Sequence, residues 1–268
     1  MKKRIFVIVL VIFVIFLANW LMLKGYVSHA EKKRADVPGN ADVYDIENLE
    51  KNPNSVLTGK NILFLGSSVT RGDGAKGKSF VELFQTLDGV NAIKEAKSGT
   101  TLVDKKSMWA MVAYGNGNSY IKRLKKIKTD TAIDCVLCQL STNDATKKLP
   151  LGEVSSSRDL SSFDTKTITG AIEYIIKYCQ DTWHCPVVFY TGSYFENAEY
   201  QAMVTRLYQL QDKWDFTIID LYTDKDFNQI DTETYNLYMY DSIHPTLAGY
   251  ANWWFPKMES ELIQVLEK

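Results

Sequence analysis

The chain is poor in the residues that bind metals and staple small domains. Of its 268 residues only four are cysteines and three are histidines. Cys135 and Cys138 lie three apart in the apolar run Cys-Val-Leu-Cys, where strand alternation turns them to opposite faces. They make a poor metal pair, and nothing in the sequence resembles a zinc ligand set. Cys179 and Cys185 flank a helix end and the next strand. They read either as buried thiols acting as small hydrophobes or, in an oxidising compartment, as a bridge. Net charge is also lacking: the formal value is -1, so no overall pull toward nucleic acid is implied. There are no internal repeats. No cysteine follows the N-terminal apolar run, which excludes a lipoprotein anchor. What remains is ordinary: 46% hydrophobic and 24% charged residues, within the range of globular domains. The length fits one domain of about 200 residues plus an appendage, and such a domain buries a sizeable core without staples. The 15 tyrosines and 6 tryptophans suit either a sugar-facing surface or the core.

The appendage is N-terminal. Lys2-Lys3-Arg4 precedes an apolar run from Ile5 to Leu23 whose only polar residue is Asn19. Nineteen helical residues span roughly 28 Å, close to the ~30 Å of a bilayer core. Trp20 stands near the far end, where an interfacial aromatic is expected. The run is longer than the core of a secretory signal peptide, although Ser28-His29-Ala30 leaves cleavage open. The expected layout is a cytoplasmic stub at 1–4, a single transmembrane signal-anchor at 5–23, a linker at 24–58 and an extracytoplasmic domain at 59–268. The linker is polar and carries Pro38, Gly39, Pro53 and Asn54.

From Lys60 onward, strand-like and helix-like segments alternate. Strands are expected at Asn61–Leu65, Val90–Ala96, Ala132–Gln139, Pro186–Tyr190 and Phe216–Asp220. Several are short, apolar and β-branched, as strands covered on both faces should be. Helices are expected at Ser79–Leu87, Ser119–Lys128, Thr165–Thr182, Ala198–Trp214 and Pro245–Leu266. In the third, Ile168, Ile172, Ile175, Ile176 and Cys179 recur at helical spacing. Pro245 suits a first helical position. The alternation predicts an α/β fold, a parallel sheet with helices on both faces.

Small polar clusters follow the first three strands: Gly66-Ser67-Ser68, Lys97-Ser98-Gly99-Thr100-Thr101 and Ser141-Thr142-Asn143-Asp144. In a parallel sheet these ends share one edge, the edge where α/β folds bind ligands. Taken singly, each reads as a turn. Near the C-terminus stands Tyr240-Asp241-Ser242-Ile243-His244-Pro245. Pro245 disfavours an α conformation at His244, so the Asp-His pair sits on a turn that can fold the carboxylate onto the imidazole. His29 lies in the linker and His184 beside Cys185, which leaves His244 as the best candidate base. Acyl transfer needs a hydroxyl, a base, an orienting carboxylate and oxyanion donors. Ser68, His244 and Asp241 supply the first three. The N–H groups of Ser68 and Gly99 and the Asn143 amide supply the donors.

In this order the four blocks resemble the SGNH hydrolases, also called the GDSL esterase/lipase superfamily, over residues 60 to 265. The resemblance puts Ser68 in the nucleophile position, Gly99 and Asn143 in the oxyanion positions, and Asp241 and His244 as the rest of the triad. It implies a flavodoxin-like three-layer α/β/α sandwich with a five-stranded parallel sheet, and no metal or organic cofactor. Two positions depart from the pattern: Ser67 stands where the family often has Asp, and Ser141 where it often has Gly. Neither carries a proton transfer, but Ser141 alters what can approach the backbone beside Asn143.

The expected function is a membrane-anchored, extracytoplasmic serine esterase acting on small acyl esters of cell-envelope or other extracellular glycans. Two alternatives stay open: an acyltransferase using the same acyl-enzyme, and a non-catalytic glycan-binding module. The intact set Ser68, Asp241 and His244 argues against the second. Trp109, Tyr114 and Asp144 are candidates for lining the substrate, with the segments Lys105–Gly117 and Lys147–Asp164 as its walls. No nucleic-acid partner is expected.

Overall fold

The computed structural model describes residues 13–22, 32–33, 35–104 and 118–267. Its centre is a parallel sheet of five strands: β1 (Asn61–Gly66), β2 (Asn91–Ala96), β3 (Cys135–Gln139), β4 (Val187–Tyr190) and β5 (Thr217–Ile219). Their spatial order is β2-β1-β3-β4-β5. Every pairing is parallel, with Leu63 opposite Ile93 on one side and Val136 on the other. All five expected strands are present, each within a few residues of its expected ends.

Alternation along the strands builds two cores. Leu63 and Leu65 of β1, Val136 and Cys138 of β3, and Val187 and Phe189 of β4 face one layer. Helices Tyr120–Leu124, Ile168–Trp183 and Ala198–Gln211 contribute buried residues to it. Ile62, Phe64, Cys135, Leu137, Val188 and Tyr190 face the other layer, with helix Phe80–Leu87 and the C-terminal segment Leu247–Leu266. The result is the expected three-layer α/β/α sandwich. Cys135 and Cys138 do fall on opposite faces. All four cysteines are buried free thiols, so no bridge joins Cys179 to Cys185. Burial pushes each of these thiols well up from its ordinary range.

Four features differ from the sequence expectations. The linker narrows, because from Pro38 onward the chain is docked: Gly39, Asn40, Ile46, Ser55 and Leu57 are buried. Short 3-10 turns at Pro38–Asn40, Asp42–Tyr44 and Ile46–Asn48 satisfy its backbone locally, so polar composition here does not mean a free spacer. A helix at Thr232–Tyr238, capped by Asp231, has no expected counterpart. The expected C-terminal helix is three pieces, Leu247–Gly249, a π-helical turn at Tyr250–Trp254, and Phe255–Leu266. Pro245 lies just outside it, because Thr246 takes the N-cap and its hydroxyl accepts from the Gly249 N–H.

Residues 13–22 are helical. Among the described residues no helix is long and apolar enough to cross a membrane. The rest of the apolar run at 5–23 lies outside the described residues.

Candidate active site

The chain leaves β1 for β2 on one side and later returns to β3 on the other. The strand order therefore reverses at β1, and a crevice opens at such a switch point beyond the strands' C-terminal ends. Ser68 follows β1, Gly99 follows β2 and Asn143 follows β3, so the topology gathers the three blocks there.

At the end of β1 the chain turns sharply into the short helix Ser68–Arg71. Gly66 permits the turn: a Cβ there would collide with the Thr70 hydroxyl and crowd Gln139 Oε1 at 2.9 Å. Ser68 is 7% exposed and is the first helical residue, so its N–H has no carbonyl one turn earlier to donate to. From the far end of the chain, Met239 and Pro245 form an antiparallel bridge, and the Tyr240 N–H donates to the His244 carbonyl at 2.8 Å. This closes the 239–245 turn, from which His244 reaches Ser68.

The contacts define the protonation pattern. The Asp241 carboxylate lies 2.9 Å from His244 Nδ1 through each oxygen, and Oδ1 also accepts from the N–H groups of Ile243 and His244. Burial pushes the Asp241 carboxyl up, but the His244 hydrogen bond, the His244 charge and the two N–H donors outweigh it and leave it below its ordinary value. An ionised carboxylate only accepts, so Nδ1 carries a proton, and in the neutral ring Nε2 is the nitrogen that keeps its lone pair. Nε2 lies 2.8 Å from Ser68 Oγ and is positioned to accept the serine proton.

The oxyanion candidates sit beside this line. Lys97–Thr100 is a tight turn closed by the Thr100 N–H on the Lys97 carbonyl at 3.3 Å, and Gly99 at its third position has φ +72°. That is the type II pattern, which requires a residue tolerant of positive φ. The Asn143 amide donates one N–H to the Thr100 carbonyl at 3.0 Å. An amide has two such hydrogens, so this bond aims the side chain and leaves a second donor. Ser141, the departure from glycine, is fully buried with its hydroxyl 3.4 Å from the same Thr100 carbonyl.

Asp144 is not a substrate-lining residue. It is fully buried, and its carboxylate accepts from the N–H groups of Leu102 at 2.9 Å and Val103 at 3.1 Å, which holds the chain beyond the Gly99 turn. Burial raises its carboxyl to about 6 against the lowering effect of Ser141 and the two N–H donors. The Lys147–Asp164 segment is also not a wall of the site over its middle. Lys213 Nζ binds the carbonyls of Ser155 and Ser157, and Arg158 caps the Lys213 carbonyl. Lys213 precedes β5, at the sheet edge opposite Ser68. Trp109 and Tyr114 lie outside the described residues.

Two polar side chains that sequence reading missed stand behind the site. Gln139, at the end of β3, is 1% exposed, and its Oε1 accepts from the Ser67 N–H at 2.8 Å and the Thr70 hydroxyl at 2.9 Å. Ser67, the departure from aspartate, turns its own hydroxyl to the same oxygen at 3.2 Å. A polar residue closing the apolar run Cys-Val-Leu-Cys was the available signal. The second, Arg123, had none, because one arginine in a short amphipathic helix reads as surface.

Among the described residues no group of three or more His, Cys, Asp or Glu side chains is arranged to hold a metal ion.

No family model and no curated protein sequence matches the chain. Solved structures do match in fold. A protein from Lactobacillus plantarum is 20% identical over 77% of this chain and 98% of its own, with a TM-score of 0.58. A protein from Bacteroides ovatus described as a GDSL-like lipase is 16% identical, over 77% of this chain and 99% of its own, with a TM-score of 0.57. A family two carbohydrate esterase from Clostridium thermocellum, in complex with cellohexaose, is 15% identical over 78% of this chain and 65% of its own, with a TM-score of 0.50. In fold, the chain is similar to solved structures described as GDSL-like lipases and to a carbohydrate esterase, the kind of protein that its four sequence blocks resemble.

Proposed function

We propose that the protein is a serine esterase that removes small acyl groups of the acetyl type from glycans outside the cell. The reading rests on the continuous line Asp241–His244–Ser68, with 2.9 Å at one joint and 2.8 Å at the other. His244 Nε2 takes the Ser68 proton as Oγ attacks the ester carbonyl. The N–H groups of Ser68 and Gly99 and the second amide hydrogen of Asn143 stabilise the oxyanion. His244 then protonates the departing sugar oxygen. It next takes a proton from water as the water oxygen attacks the acyl-enzyme carbonyl, and it returns that proton to Ser68 Oγ as the bond to the acyl carbon breaks, releasing the carboxylic acid and free Ser68. The chemistry needs no metal or organic cofactor.

A glycan substrate is supported by fold similarity to a carbohydrate esterase that binds cellohexaose. The apolar run at 5–23 would anchor the chain in the membrane with its catalytic domain outside, close to cell-envelope glycans.

The test is the Ser68→Ala variant, assayed on a short aryl acetate and on acetylated glycans. Covalent labelling by a fluorophosphonate should vanish and turnover should fall by roughly 10⁴-fold or more. Unchanged turnover in that variant would overturn the mechanism.

A further inference from the structure

Arg123 is 5% exposed, whereas Arg71, which bonds the Ser98 hydroxyl in the Gly99 turn, has a half-exposed side chain. It comes from the helix Tyr120–Leu124, which packs on the sheet face opposite the C-terminal helices that follow His244. Its guanidinium makes four hydrogen bonds, three of them to the ends of β1 and β2 and to the Gly99 turn. Nη2 donates to the Gly66 carbonyl at 2.7 Å, two residues before Ser68. Nη1 donates to the Glu95 carbonyl near the end of β2. Nε donates to the Asn118 carbonyl at 3.3 Å. Nη2 also lies 3.3 Å from the Thr100 hydroxyl, which in turn donates to the Lys97 carbonyl at 2.6 Å and so closes the turn that carries Gly99. The Thr100 carbonyl is the acceptor that aims Asn143.

One planar cation thus touches the backbone before Ser68 and the turn around Gly99, and through Thr100 it reaches Asn143. Its nearest carboxylate, Glu95, is 3.8 Å away and 39% exposed, so Arg123 is held mainly by carbonyl oxygens. A buried charge that only filled space would be costly. A fork of fixed donors can hold several carbonyls at set distances in a way an ammonium cannot. We propose that Arg123 is the positioning residue of the oxyanion hole, fixing the Ser68 and Gly99 donors relative to one another. This rests on the serine-esterase reading above. Oxyanion donors act only when their spacing is set before charge develops, so loss of Arg123 should lower kcat and leave ground-state binding nearly unchanged.

The experiment compares the parent chain with Arg123→Met, Arg123→Lys and Arg123→Ala, using a short aryl acetate. Arg123→Met should lower kcat by roughly 10²-fold with KM within about twofold, and should slow fluorophosphonate labelling in step, because phosphonylation uses the same hole. Arg123→Lys should fall between the two. Millimolar guanidinium ion should restore kcat of Arg123→Ala at least about tenfold, with no effect on Ser68→Ala. A folded Arg123→Met variant with kcat within about threefold of the parent would overturn the proposal. If that variant does not fold, Arg123→Lys decides: a loss of about tenfold or more in kcat at constant KM supports the proposal, and parent-level kcat overturns it. A parent chain that neither labels nor turns over ester would instead sink the esterase reading itself.

Discussion

Gln139 shows how much of the site depends on single atoms. Its Oε1 can only accept, so the Thr70 hydroxyl must donate to it and must itself accept from Tyr190, 2.6 Å away. Burial pushes the Tyr190 phenol well up, which keeps that hydroxyl a donor. The relay Tyr190–Thr70–Gln139 therefore pins the residues on both sides of Ser68. Gln139→Leu should strand the Ser67 N–H and the Thr70 hydroxyl, costing about 1–3 kcal/mol per group in denaturant unfolding and lowering kcat. Gln139→Glu keeps the acceptor and should be milder in kcat. A leucine variant as stable and active as the parent would show that the relay holds nothing. Asp144 permits a second prediction at this scale. Its folded pKa of about 6 lies above the ordinary 3.8, so between those values the folded state holds more protons than the unfolded one. Stability from this group is fully present below about pH 3.8 and is lost as pH rises through about 6. Asp144→Asn removes that term, so the Tm difference between variant and parent should shift in the variant's favour between pH 5 and pH 7.5. An equal difference at both pH values would show that Asp144 does not titrate there.

The secondary-structure elements were the most legible level. Strands covered on both faces write themselves as short apolar β-branched runs, and helices with one buried stripe write a 3.6-residue period. The helix Thr232–Tyr238 escaped because none of its residues is fully buried and its contact with the core is limited to partly buried residues such as Tyr235 and Tyr238, too short a pattern to read. The short helices Ser68–Arg71 and Thr142–Thr146 escaped because their sequences are turn-like and bonds to distant residues hold them, such as Tyr250 to the Val69 carbonyl and Asp144 to the Leu102 N–H. Packing between elements leaves one unfavourable contact. Asp88, the C-cap of helix Phe80–Leu87, is 1% exposed and lies beside Ser55 and Glu259. Burial, then the Asp88 charge, push Glu259 of the C-terminal helix up to about 7, and burial raises Asp88. Both raised carboxyls favour the protonated form, so this contact weakens as pH rises through about 7. Glu259→Gln should raise Tm by roughly 2–5 °C at pH 8 and by less at pH 5. An equal gain at both pH values would show that charge is not the cause.

Over the whole molecule, distant segments meet at the site. Asn40 is fully buried, accepts from the Leu247 N–H at 2.8 Å and donates to the Gly74 carbonyl at 2.8 Å. It thereby joins the segment before β1 to the start of the C-terminal helices, just after His244. Removing residues 1–34 should leave Tm and esterase turnover intact, whereas Asn40→Ala should lower Tm by several degrees, roughly 1–3 kcal/mol for the stranded N–H. Thermal unfolding of the two proteins checks this, and equal Tm values would remove Asn40 from the fold's requirements.

By itself the sequence determined the alternation that makes an α/β sandwich, the blocks at the strand ends and the residues Ser68, Asp241 and His244. These are local or periodic signals, written in spacings that neighbouring residues share. Only the tertiary structure decided that Gln139 and Arg123 stand behind Ser68, that Asp144 is an anchor and not a wall, and that residues 38–58 are docked and not free. Each of those depends on which segments are brought together across the sheet. A polar side chain's role is set by the partners it meets there, and those partners lie 20 to more than 200 residues away in the chain.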